Sequence, residues 1–323
     1  MIAGFDTLVP NDLQILTNLA QSCQASAMYQ GLAQGQANLV ELRRSLNNAW
    51  SSELVLGILG RFTNADSVMR LANNWGAVQL YYVLYHATQA LHIATGNTKP
   101  SGHPSTQKIF TSTWGSAGTL SPWNLTTDAN GYHQFPAAWQ VDITVNPLAA
   151  CTPASCWDLF AMAIRTTRRD TLIESYSNER KEKTSQKRKA WNAEEEARLA
   201  KGKKARKKRV FTISNLTATE RAAVNKRVRP HSLIDYAYRL RIKTNYVDAE
   251  MFTEGPHNTA SSGQVNRDIV RLAAASLLIA ELHIARLIGG PAFATIANGW
   301  LQTHANLPAQ VQGGLRTRRH LLP

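Results

Sequence analysis

The stretch "AVQLYYVLYHATQALHIATG", residues 77–96, has the period of one long helix and carries no Asp, Glu, Lys or Arg. At 100° per residue, Leu80, Leu84, Ala87, Leu91 and Ala94 fall on one side, a stripe suited to any core. The other side collects Val78, Tyr81, Tyr82, Tyr85, Gln89 and His92, with His86 at its edge. A helix with one wet face would place charges there. Both faces are therefore expected to be covered, the first by protein and the second by protein alone or partly by a ligand.

Working outward, the first third of the chain reads as helix almost throughout. "NDLQILTNLAQSCQASAMYQGLAQ" opens on an Asn11 cap, "NLVELRRSLNNAWSSELVLGILGRF" gives a second helix or a broken pair, and the opening stretch belongs to a third segment stopped by Gly96. Three antiparallel helices are expected. From Asn97 to Cys156 the chain turns rich in Gly, Ser, Thr, Pro and Asn. Only "WQVDITV", residues 139–145, alternates like a strand. Such a length without structure is uncommon inside a compact domain, so Trp114, Trp123, Trp139 and Trp157 are expected to pin it as an ordered excursion.

Helix resumes at "SCWDLFAMAIRTTRRDTLIESYSNERKEK". The piece "WNAEEEARLAKGKKARKKR" predicts a new helix capped by Asn192, acidic in its first turn and basic in its last. Thr217 and Glu220 form a capping-box pattern before "ERAAVNKRVR", and a helix through "SLIDYAYRLRIKTNY" follows. "GQVNRDIVRLAAASLLIAELHIARLIGG" then places Ile269, Leu272, Ala273, Leu277, Ala280, Ile284 and Leu287 on one broad stripe from Gln264 onward. After Pro291 a short helix is expected, and the tail "RTRRHLLP" reads as a small, charged, mobile end. The fold class is all-α.

Composition fits a folded body: 323 residues, 44% hydrophobic and 18% charged. The net charge of +14 points to acidic partners, nucleic acid first. It is concentrated between Glu179 and Arg209, where fourteen Lys and Arg face five Glu, a net of +9. Lys187, Arg188, Lys189, Lys201, Lys203, Lys204, Arg206, Lys207, Lys208 and Arg209 are the candidate nucleic-acid contacts. The alternative for this run is a solvated helix or flexible arm. Three cysteines without a secretory leader suggest a reducing, cytoplasmic setting, and the Cys151-x4-Cys156 pair lacks the further ligands that zinc needs. No run is apolar enough to span a membrane. No metal and no cofactor is expected.

Two elements carry a family resemblance. "YYVLYHATQALHIATGNTKPSGHPSTQKIF" resembles the signature of the HEPN superfamily, in which a Tyr-Tyr pair opens a helix that ends at a Gly, with a His just before the next helix. Tyr81, Tyr82, His86, Gly96 and His103 stand at those positions. "YRLRIKTNYVDAEMF" is similar to the family's Arg-x-x-x-Asp-Tyr element, with Arg241, Asn245 and Tyr246 in place and Asn for the usual Asp. The resemblance implies an antiparallel helical bundle built from residues 1–110 and 231–290 and interrupted by a long insertion with irregular and basic helical parts. The insertion comprises a Trp/Gly/Ser-rich part with a return helix over 111–178 and the basic arm over 179–209; a cap helix and tail occupy 291–323.

The family's ribonucleases use an Arg followed, after four to six residues, by a His: the Arg holds phosphate and the His moves a proton, often across a dimer. None of the nine histidines here has that spacing, Arg316-x3-His320 falling one residue short. The resemblance thus implies a binding protein for RNA, a nucleotide or a nucleotidyltransferase-type partner, in a microbial stress or defence setting, with a homodimer as one assembly. Tyr81, Tyr82, Tyr85, His86, His103, Arg241, Asn245 and Tyr246 would form the ligand site. A metal-independent ribonuclease using His86, His103 and Arg241 is the enzyme alternative, and a structural nucleoprotein the third. Against all of these stands a plain polar-aromatic core seam.

Overall fold

The computed structural model describes residues 10–59, 66–115, 120, 123–127, 155–207, 209–242, 259–307 and 313–323. Every regular element among them is helical: α1 (Pro10–Ala25), α2 (Ala27–Gln30), α3 (Leu39–Leu59), α4 (Asp66–Ala94), α5 (His103–Trp114), α6 (Ser155–Ala200), α7 (Ala218–Arg227), α8 (Leu233–Ile242), α9 (Thr259–Ile288), α10 (Gly290–Thr303) and α11 (Gly313–Arg318), closed by a 3-10 turn at Arg319–Leu321. The protein is all-α. The strand-like residues 139–145, together with Asn245, Tyr246, Lys208 and Cys151, lie outside the described residues. Among the described residues no helix is long and apolar enough to cross a membrane.

Local chemistry sets the helix ends. Asn38 Oδ1 accepts from the Val40 and Glu41 N–H groups, both at 3.2 Å, and starts α3 as one unbroken helix. Gly96, at φ 86°, ends α4 in the left-handed region that glycine enters without strain. The single first helix expected from sequence is in fact two, because the Ser26 hydroxyl accepts from the Tyr29 N–H at 3.2 Å and restarts the chain as α2. Likewise α5 occupies part of the stretch expected to be irregular, and α9 begins at Thr259, earlier than Gln264.

The chain forms two compact units, the first made of Met1–Leu125 and Ser232–Pro323. Within it α4 packs along α3 and along α9, and more lightly on α8 and α5. From Ala77 to Ala94 no residue of α4 is fully exposed. Leu80, Leu84, Ala87, Leu91 and Ala94 are buried together with Ala273, Leu277, Ala280, Ile284 and Leu287 of α9. Trp114 and Trp123 are buried too, Trp123 donating its indole N–H to Ser276 Oγ at 3.0 Å; Trp139 and the side chain of Trp157 lie outside the described residues.

The tail departs most from expectation. Arg318 is 0% exposed, and its guanidinium bridges two buried carboxylates: Nε and Nη2 donate to Glu281 at 3.0 and 2.8 Å, and Nη2 donates to Glu53 at 3.0 Å while Nη1 also binds Glu53. Trp50 adds an indole N–H to Glu281 at 2.8 Å. Leu315 and Leu322 are buried on either side, so the C-terminus is a docked strap. Gly314 is required at its position, because the Glu53 carboxylate fills the space that a Cβ would need. Burial raises the Glu53 pKa even though Arg318 draws it down. Burial alone would lower the Arg318 pKa, but Glu281 and Glu53 raise it.

The second unit, Thr126–His231, is organised by α6, 46 residues and about 69 Å long at 1.5 Å per residue. The chain turns at Gly202 and returns antiparallel. Arg206 meets Glu195, Phe211 meets Trp191 with ring centroids 6.1 Å apart, and Arg180 donates to the Ser214 carbonyl at 3.0 Å. α7 continues the return, started by the Thr217–Glu220 capping box, with Glu220 on Lys183 at 2.8 Å and Arg227 on Glu179 at 2.5 Å. Asn192 therefore caps nothing: it lies inside α6, where the returning strand's hold on Trp191 and Glu195 keeps the helix continuous.

Leu84→Asp would place an unpaired charge between α4 and its neighbours and is expected to leave no cooperative thermal transition by circular dichroism. Arg318→Met should lower the stability measured by urea denaturation by about 3–5 kcal/mol, because it strands two buried carboxylates. Adding Glu53→Gln and Glu281→Gln to that variant should recover part of the loss.

Candidate functional site

The tyrosine face of α4 meets α5 and α8. Tyr81 is buried, and its hydroxyl lies 2.6 Å from Nδ1 of His103, the first residue of α5. Tyr85 packs on the same imidazole at 4.8 Å between centroids, and Tyr238 of α8 stands 5.3 Å from Tyr81 and 5.7 Å from His103. Arg241, one turn further along α8, sets its guanidinium 5.2 Å from the Tyr82 ring, 5.5 Å from Tyr81 and 5.7 Å from Tyr238. His86 stacks on Tyr82 at 5.9 Å, with planes 19° apart. Four tyrosines, two histidines and one arginine thus form a single cluster, of which Tyr82, Tyr85, His86, His103, Tyr238 and Arg241 remain half-buried.

The fold joins His103 and Arg241, 138 positions apart in sequence, through shared tyrosine rings. Asn245 and Tyr246 lie outside the described residues. Tyr238 is the member that the sequence reading passed over. Its signal was present, since Tyr238 and Arg241 are three apart on one helix and must share a face.

Burial favours the neutral forms of Tyr81, His86 and His103. Burial lowers the His86 pKa to about 4, and its Nδ1 makes no hydrogen bond. Burial, and then the Arg241 charge, lower the His103 pKa. Burial raises the Tyr81 pKa, so its hydroxyl stays protonated. Arg241 lies over three ring faces in a cation–π arrangement. The cluster can accordingly offer one fixed positive charge, flat apolar faces and a Tyr–His proton pair.

The second candidate surface lies on the other unit. Lys187, Arg188, Lys189, Lys201, Lys203, Lys204, Lys207 and Arg209 are exposed. Arg206 differs: it binds Glu194 at 3.2 Å and Glu195 at 2.5 Å and lies 5.4 Å over Trp191, so it fastens the hairpin and is not a spare cation. Residues 185–190 are exposed on every side of the helix, a bare stretch of stem. Arg316 and His320 are both exposed on the C-terminal strap. Among the described residues no three His, Cys, Asp or Glu side chains are grouped to hold a metal ion.

Comparison of the chain with protein-family models, curated proteins and solved structures finds no match.

The cluster has a pH signature. Unfolded histidine takes a proton near 6.5, whereas folded His86 resists until about 4. Stability is therefore full above 6.5 and falls as pH drops from there towards 4. His92, His103 and His283 are shifted in the same direction, by burial first, and add to the fall with the same sign. The melting temperature should fall between pH 7 and pH 5, and His86→Phe, which keeps a ring against Tyr82, should make that fall smaller.

Proposed function

We propose that the protein binds nucleic acid without cutting it, with the basic hairpin gripping phosphates and the tyrosine face seating a base or nucleotide. RNA is the class that the HEPN-like elements favour, and the same resemblance suggests a microbial stress or defence role, alone or beside a nucleotidyltransferase-type partner. One observation carries the reading. Lys187, Arg188, Lys189, Lys201, Lys203, Lys204 and Lys207 are exposed and have no carboxylate partner among the described residues. Three of the segment's five glutamates are engaged by other cations, Glu179 by Arg227 and Lys183, Glu194 by Arg206, and Glu195 by Arg206 and Arg198. The positive field is not cancelled from within.

Binding of this kind is through phosphate, so it falls steeply with salt and depends little on sequence. Seven contacted phosphates would give a slope of log K against log salt of about −5 for single strands and about −6 for a duplex. Replacing the seven with Gln should flatten the slope and cost most of the affinity in filter binding at two salt concentrations, with the helical circular dichroism unchanged. Equal affinity and equal slope would leave the hairpin as a spacer.

The Tyr81–His103 pair beside Arg241 favours a second reading, a metal-independent endoribonuclease in which Arg241 holds phosphate and His103 moves the proton. Incubation with labelled RNA in EDTA separates the two. Cleavage by the wild type that disappears in His103→Ala supports the enzyme, whereas intact RNA with both proteins leaves binding alone.

A further inference from the structure

A separate cleft of about 610 Å³ opens in the first unit between α3 and α10. The two helices touch where Trp50 meets Phe293 at 6.3 Å and Trp300 at 5.8 Å between ring centroids. Towards Asn47 and Arg43, one and two turns back along α3, the facing positions on α10 are small or polar, and the pair gapes. The volume lies in the range of small-molecule sites.

The lining is selective. Trp300 is 5% exposed, and among the described residues neither its indole N–H nor Asn47 Oδ1 has a hydrogen-bond partner. His304 stacks on Trp300 at 4.2 Å and 27°, covering one indole face and leaving its own half-buried imidazole as the more open ring in the lining. Gln302 adds an amide to the wall. Among the described residues no Asp or Glu lines the cleft, and Arg43 is its one Lys or Arg, exposed and without an ion-pair partner. Over Gly299 there is open space, with nothing within 4 Å of where a Cβ would stand.

We infer that this cleft is a binding site for a small planar organic monoanion, an aromatic or heteroaromatic carboxylate. The ring stacks on the His304 imidazole, the carboxylate takes the Arg43 guanidinium, and Asn47 and Gln302 bond the ring's polar edge. One guanidinium with no acid nearby matches a single negative charge, and a carboxylate meets it through two parallel hydrogen bonds. A phosphate monoester would bring close to two charges against one. The site is independent of the nucleic-acid reading, because it uses neither the hairpin nor the tyrosine face.

The test uses the full chain titrated with benzoate, nicotinate and indole-3-acetate by calorimetry and ligand-observed NMR, with 5′-AMP and inorganic phosphate as comparison anions. Gly299→Leu adds bulk at a lining position where a Cβ meets nothing within 4 Å, and it replaces a poor helix residue with a good one, so it should fold at least as well as the wild type. At least one of the three carboxylates should bind saturably, at least tenfold more weakly to Gly299→Leu and about tenfold more weakly to Arg43→Gln. Absence of binding for all three, binding undiminished in Gly299→Leu, or a preference for 5′-AMP over every carboxylate would overturn the assignment. Unchanged melting of both variants shows that any loss of binding is local.

Discussion

From Ala77 to Ala94 the fourth helix has no side that faces water fully, and the rest of the first unit is arranged by the need to cover it. Two long helices, α3 and α9, take its apolar flanks, and they come from opposite ends of the chain. Such closure from distant segments needs something to hold the ends. Arg318 provides it by joining Glu53 of α3 to Glu281 of α9 at the foot of the bundle. A buried guanidinium between two carboxylates contributes little net stability, since three ions are desolvated, but its geometry admits one register of α3, α9 and the C-terminal strap. Raising the Glu53 pKa moves the cluster towards neutrality, and the stability this brings is present below the ordinary glutamate range and is lost as pH rises through the folded pKa.

The same closure explains the tyrosine face. α5 and α8 cover it incompletely, because a histidine and an arginine stand where an apolar helix would place Leu or Val. Six of the seven cluster members stay half-buried. A helix needing only a lid would not require a guanidinium against three rings, an arrangement that holds one positive charge at a fixed place beside flat surfaces. The hairpin of the other unit supplies charge in a different form, as many mobile ammonium groups along a stem. The first suits one oriented group, and the second suits a polyanion of any sequence.

Much of the first unit was legible because a 3.6-residue period without charges leaves few alternatives. The two faces of α4, the stripe of α9 and the stop at Gly96 follow from local rules, as does the Thr217–Glu220 box in the second unit. What was not legible depends on distant partners. Arg318 looks like any tail arginine until Glu53, 265 residues away, and Glu281, 37 away, come within reach. The continuity of α6 through Asn192 was hidden for a similar reason: its apolar stripe is sparse, and the support arrives from Arg206 and Phe211 on a returning strand that has no regular structure of its own. Spacing placed Arg241 and His103 on separate elements, and only the packing of α8 and α5 on α4 brings them to the same rings.

The proposed RNA binding is tested most directly by mapping which peptides, if any, an added strand contacts. Photocrosslinking of a 4-thiouridine-substituted single-stranded RNA, followed by mass spectrometry of the joined peptides, reads this without assuming any residue. The account expects crosslinks in the peptides around Lys187–Lys189 and Lys201–Lys207, together with peptides carrying Tyr82, Tyr85 or His103. Crosslinks confined to other surfaces, with both of these regions unlabelled at saturating RNA, would contradict it.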